Sequence, residues 1–418
     1  MTSRFVRSIG AGAAIAVVAA VAPTWARAQQ ASTSAVVAPA FDFSGVMFGS
    51  YGFRTDSAGQ AALGGQHANQ FSVDRAYLTF KMPAGDNGQI RITTDIFQNT
   101  NAAQNAYFQG WAVRLKYAYL QYTALKNAFG AGSSLTGRIG VLHTVVIDHE
   151  ESFWPRYLNQ TALERNGFFS SADAGVAGLA TLGGKLGEVY ATITNGPGYS
   201  SYEKDRFKDF AARLSLTPLA NQAHMSPILK SFTITPWFYK GYLGSAFASG
   251  GAGQVGPGTN GAVTDGLQRD RYGVFTGVRG RRLTVGAEWA QRSDESETGS
   301  NTTMAPRVVH DSTGRLLDGF VTVRPIELFD ASQKSALGLV ARFDRFTPNT
   351  SPSAASYAGA TPSLDFWILG ATWDLNQRIT VALDWQKQTG NGFPPAVGTN
   401  LRAPADNSNV FFHFQATF

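Results

Sequence analysis

The chain has 418 residues, a formal net charge of +6, 44% hydrophobic residues, 45 glycines, 29 Phe, 14 Tyr and 8 Trp, and no cysteine. The missing thiols exclude a disulfide framework, a thiolate metal site and a thiol nucleophile. After the leader, no segment approaches the ~20 consecutive apolar residues of a spanning helix, which excludes a bundle of membrane helices.

The N-terminus has the order of an export signal. Arg4 and Arg7 precede the apolar run 9–21, and Ala26, Arg27 and Ala28 supply a small-x-small cleavage site. Residues 1–28 are therefore expected to be a cleaved signal peptide and 29–40 a small-residue tether. Loss of 1–28 removes three arginines and no acid, leaving 32 basic and 29 acidic groups, a net charge of +3. Nucleic-acid binders carry a strong basic bias, so nucleic acid is not an expected partner.

Alternation begins at once. In 41–53 the odd positions are Phe41, Phe43, Gly45, Met47, Gly49, Tyr51 and Phe53. Period-2 alternation over about ten residues marks a barrel strand. Further strands are expected near 70–82, 89–97, 111–123, 136–144, 172–182, 187–194, 207–216, 230–241, 270–280, 282–292, 314–325, 335–346, 364–374, 377–388 and 408–418. The fold class is all-β: an antiparallel transmembrane β-barrel of about 16 strands, formed by 41–418 as a single domain. The connections support this by alternating between long and short, with some intermediate. Residues 55–69, 98–110, 145–171, 242–269 and 389–407 contrast with 83–88, 183–186, Arg281 and 375–376, as external loops contrast with periplasmic turns.

Parity assigns the walls. On the second to fifth strands Leu78, Ile92, Val113 and Ile139 face out, which turns Arg75, Lys81, Arg91, Arg114, Lys116 and Arg138 inward against one acid, Asp95. Later strands mix signs: Asp209 with Arg213, Glu288 with Arg292, Asp318 with Arg324, Arg342 with Asp344, and Asp384. The six cations are expected to form a basic wall lining the pore.

Residues 145–171 form a long connection rich in aromatic and charged side chains, too aromatic for a disordered segment. They carry Asp148, Glu150, Glu151 and Glu164, the cations Arg156 and Arg165, and Phe153, Trp154, Tyr157, Phe168 and Phe169. Thr161 and Glu164 fit a capping box and Asn166-Gly167 a stop, so one helical turn is expected there. Counted in phase, this is the third external loop. Packed into the lumen, its acids would face the cationic wall and constrict the pore.

At the C-terminus Val410, Phe412, Phe414, Ala416 and Phe418 share one face, with His413, Gln415 and Thr417 on the other. A chain ending on an aromatic within a strand matches an outer-membrane assembly signal, placed at Phe418. Enzyme chemistry is not evident. His143 and His149 have no metal-ligand spacing, and no serine nucleophile can be placed beside Asp384 and His413. No cofactor or metal is implied.

These features together resemble Gram-negative outer-membrane porins, most closely the phosphate-selective porin O/P group. Residues 71–80 (FSVDRAYLTF), 171–176 (SADAGV), 208–218 (KDFAARLSLTP) and the terminal Phe418 carry the likeness. It implies residence in the outer-membrane bilayer, a homotrimer, an inward-folded third loop and passive uptake of small hydrophilic solutes or ions. Anion-specific members use basic residues on the constriction loop, whereas this loop holds four acids against two arginines. The reading is therefore a diffusion porin, with a channel specific for phosphate or another small anion as the alternative. A barrel enzyme or surface-binding barrel lacks an identifiable group.

Overall fold

The computed structural model describes residues 41–418 except 100–109, 202, 204, 245–265, 299–307, 351–360 and 392–405. The expected signal peptide and tether lie outside the described residues. From 41 onward the chain forms one compact unit.

Sixteen antiparallel strands close into a barrel in which each pairs with its sequence neighbours and β1 pairs with β16. The first half comprises β1 (Asp42–Arg54), β2 (Asn69–Pro83), β3 (Gly88–Asn99), β4 (Gly110–Lys126), β5 (Ser134–His143), β6 (Ala172–Leu182), β7 (Gly187–Thr194) and β8 (Asp209–Leu216). The second comprises β9 (Thr233–Gly244), β10 (Gly266–Arg279), β11 (Leu283–Thr298), β12 (Val308–Val323), β13 (Leu337–Thr347), β14 (Ser363–Asp374), β15 (Ile379–Asn391) and β16 (Asn407–Thr417). The count of sixteen matches the alternation pattern, and most bounds agree within about three residues. In such a meander the connections β1–β2, β3–β4 and β5–β6 leave the same end, so residues 144–171 are the third at the long-connection end.

Alternation sets the two faces. Trp111 (57% exposed), Val113 (65%) and Ile139 (59%) project outward, while Tyr77, Thr79, Thr93 and Asp95 are buried on the other face. An apolar exterior around a charged interior is the arrangement of a barrel that sits in lipid. Closure is completed at the C-terminus. Gly45 N–H donates to the Phe418 carbonyl (2.8 Å) and Phe418 N–H donates back to Gly45 (3.0 Å). The Phe418 ring lies over Gly45, where a Cβ would stand 2.3 Å from Cζ.

Three register shifts interrupt the alternation among the described strands, one of them at Ala124 between β4 and β5. The β3–β4 register jumps from Thr93↔Tyr117 to Thr94↔Leu115, so Lys116 is an extra residue. The β1–β2 register jumps from Phe48↔Arg75 to Gly49↔Val73, so Asp74 is extra. A bulge bends the strand and re-aims side chains.

Gly286 makes a similar close approach, since a Cβ there would stand 2.3 Å from Phe320 Cζ. Phe320 packs edge-on against Trp154 at 5.2 Å. Gly286→Ala is expected to displace that ring and lower stability by about 1–3 kcal/mol, read as an earlier heat-unfolding midpoint. An unchanged midpoint would mean Phe320 swings aside freely.

Candidate functional site

Residues 145–171 hold two one-turn helices, Ile147–Glu150 and Ala162–Arg165. Thr161 Oγ1 accepts from the Glu164 N–H (3.4 Å), Asn166 follows as C-cap, and Gly167 takes φ 71°. Only half of the expected capping box forms, because the Glu164 carboxylate bonds Arg156 instead. Single turns are not self-sustaining; here they are fixed by contacts with the wall.

Those contacts run to main-chain carbonyls. Arg279 donates to Ser152 (2.9 Å), Gln386 to Leu158 (3.0 Å), Arg342 to Gln160 (2.6 Å) and Arg292 to Asn166 (2.9 Å). Arg271 reaches the carbonyls of Gly167 (3.2 Å) and Phe168. Apolar packing reinforces them in two clusters. Val145, Ile147, Leu163, Phe168 and Phe169 pack with Tyr190, Trp237, Tyr239, Leu316 and Phe346. Phe153, Trp154, Tyr157 and Leu158 pack with Phe48, Tyr77, Phe275, Phe320, Phe366 and Ile368.

The charged groups of the segment take distinct places. Arg156 binds both Glu151 and Glu164; burial opposes its charge, yet the two carboxylates hold its pKa well above the ordinary value. Arg165 donates to Gln388 (2.5 Å), lies 3.6 Å over the Phe366 ring, and is pulled down to about 10 by burial. Burial pushes Asp148 up to about 6, with Arg213 opposing. Burial likewise drives His149 down to about 3, and its Nε2 meets Thr235 Oγ1 at 2.9 Å. Trp154 Nε1 donates to the Asn159 carbonyl (2.8 Å) with Arg342 4.8 Å over its ring. Tyr157 is buried, which raises its phenol.

Glu150 faces other acids. It shares a closed niche with Glu288, Asp318 and Arg342, and Glu288 and Asp318 are direct cross-strand partners. Each of the three carboxyls has a buried oxygen without a partner. Arg342 is committed to Asp344 (2.6 Å). Burial, then Glu288 and Asp318, raise Glu150 well above the carboxylate range.

On the opposite wall Arg75 Nη1 and Arg114 Nε both donate to Asp95 Oδ2 at 2.9 Å. Lys116 stands 4.0 Å over the Tyr77 ring. Arg91 lies over Tyr117 (4.8 Å), and Arg138 over Tyr119 (5.3 Å). Lys81 is opposite Arg91 in the β2–β3 register. Sequence parity gave no role to these tyrosines. The Lys116 bulge shifts Tyr117 and Tyr119 onto the arginine face; they share the parity of the outward Val113 and Leu115, so the sequence pattern pointed them the other way. Of the same-strand charge pairs expected from the sequence, Arg342–Asp344 forms and the others do not among the described residues. Arg213 pairs with Glu188 (2.6 Å), Asp209 with Arg269 (3.0 Å), and Arg324 with Asp374. Glu188 lies on the strand next to Arg213, whereas Arg269 and Asp374 are reached across one intervening strand; charges on neighbouring strands are often nearer than those several residues apart on one strand. His413 Nε2 lies 3.0 Å from Asp384 Oδ2. Among the described residues no group of His, Asp and Glu is arranged to hold a metal ion.

A closed antiparallel barrel, apolar without and charged within, is the architecture of an outer-membrane β-barrel. Solved structures agree. The outer membrane channel DcaP of Acinetobacter baumannii aligns with TM-score 0.58 and 11% identity, over 93% of this chain and 100% of that one. OmpT, an outer membrane protein of Vibrio cholerae in a trimer form, gives 0.54 and 11%, over 91% and 99%. Salmonella typhi OmpF in complex with daunomycin gives 0.53 and 11%, over 91% and 98%. At this identity the likeness is one of fold. No protein-family model matches the sequence, and no curated protein matches it.

Glu150 gives a pH prediction. Its raised pKa means the folded state holds a proton that the unfolded chain loses first, so its contribution is full at acid pH and declines as pH rises through the folded value. Glu150→Gln should therefore match wild type near pH 5 and exceed it in heat stability near pH 9. A wild type that loses nothing relative to the variant at alkaline pH would show that Glu150 docks ionised.

Proposed function

We propose that the protein is an outer-membrane porin, a water-filled channel for passive diffusion of small hydrophilic solutes and ions, with a preference for anions. The carrying observation is the closed sixteen-stranded barrel with apolar residues outside and charge inside. In this reading the N-terminal signal exports the chain and the barrel sits in the outer membrane. In the same reading the segment 145–171 lies in the lumen and narrows it, which its bonds to side chains of β10, β11, β13 and β15 support. A homotrimer is the proposed assembly; the Vibrio OmpT neighbour is a trimer form.

The anion preference rests on how the charges are spent. Arg156 takes up Glu151 and Glu164, and Glu150 turns toward Glu288 and Asp318. Few loop acids are left to oppose Arg75, Lys81, Arg91, Arg114, Lys116 and Arg138; on their strands Asp95 pairs with Arg75 and Arg114, and Asp74 joins Arg75 in one cavity, two acids against six cations. Uncompensated charge of one sign along a low-dielectric wall concentrates ions of the other.

Purified protein in a planar bilayer under a KCl gradient should conduct, with a reversal potential on the chloride side. Neutralising Arg75, Arg91 and Arg114 should move that potential toward potassium. An absence of conductance would end the porin reading. Strong block by phosphate would instead favour the anion-specific channel.

A further inference from the structure

The bulge on β2 builds a feature that the channel reading does not use. In a regular strand Asp74 and Arg75 would point to opposite faces. Because Asp74 is an extra residue in the β1–β2 register, both line the same cavity of about 390 Å³, together with His413 and Tyr157. That volume falls within the ~300–1,000 Å³ of small-molecule sites.

The two charges remain available. Among the described residues the Asp74 carboxylate accepts from Ser50 Oγ (3.2 Å) and makes no ion pair. Arg75 shares the single Asp95 carboxylate with Arg114, two guanidiniums against one acid, and its side chain is 23% exposed. His413, 4% exposed, lines the cavity with Nδ1 unpartnered. A simple anion here would meet Asp74, and a simple cation would meet Arg75. A solute bearing both charges within a few ångströms satisfies both walls.

We propose that the Asp74 bulge forms a binding site for zwitterionic solutes of the amino-acid type, with the ammonium on Asp74 and the carboxylate on Arg75. The site rests on the porin reading and names a solute class for it. His413 and the half-buried ring of the cavity bind the solute's side chain, and charge-assisted hydrogen bonds at both ends set its orientation.

The test is single-channel recording in KCl with L-glutamine as probe and acetate and methylammonium as controls. Glutamine should reduce the current saturably, and the controls should not at the same concentration. Asp74→Asn should raise the half-blocking concentration about tenfold or more, and Asp74→Glu should retain block. Arg75→Gln, a second variant should Asp74→Asn fail to insert, should weaken block to a similar degree. KCl current without saturable glutamine block would overturn the site and leave the porin reading standing. Equal block of wild type and Asp74→Asn, or equal block by the single-charge controls, would also overturn it. Absence of any KCl current would remove the porin reading itself.

Discussion

Everything in this molecule follows from the pairing of its first strand with its last. A β-sheet with open edges presents unpaired N–H and C=O groups, which lipid cannot satisfy. The β1–β16 register, sealed by the reciprocal bonds of Gly45 and Phe418, removes both edges at once. Only then can Trp111, Val113 and Leu317 stand outward without cost to the backbone. Closure also creates an inside, where Asp95, Glu288, Arg342 and Asp384 are buried.

The segment 145–171 packs against side chains of the barrel wall. Its two single turns could not persist in water, and the wall supplies what they lack: apolar partners on two sides and cationic donors at the bends. The charge balance differs from what composition implied. Four acids against two arginines reads as an acidic loop, yet Arg156 neutralises two of those acids internally and a third sits among carboxyls. In the proposed channel, the wall rather than the loop therefore sets the field.

Much of the fold was legible because a strand's inward and outward residues alternate with period two. That pattern located all sixteen strands, and the capping-box spacing of Thr161 and Glu164 placed the helix cap. The turn-to-loop length contrast identified the third long connection. What escaped was register. Nothing in 71–80 marks Asp74 as an inserted residue, because either neighbour could occupy the inward position. Charge pairing failed for the same reason: Arg213 finds Glu188 and Arg324 finds Asp374 across strands, and cross-strand partners are known only when the register is. The acids Glu150, Glu288 and Asp318 are far apart in sequence and meet only because the segment folds back on β11 and β12.

The wall holds the segment by its backbone: Ser152, Leu158, Gln160, Asn166, Gly167 and Phe168 are each gripped through the carbonyl oxygen. A carbonyl is the same whatever side chain its residue carries. Leu158 and Phe168 are also held by apolar packing, but at Ser152 and Gln160 the wall grips the carbonyl and so recognises a path and not a side chain. The side chains of those two residues can be exchanged for others of different charge or size while the course of the chain stays put. In the proposed channel, scaffold and filter are in this sense separable, and the barrel can be retuned for a new solute without being rebuilt.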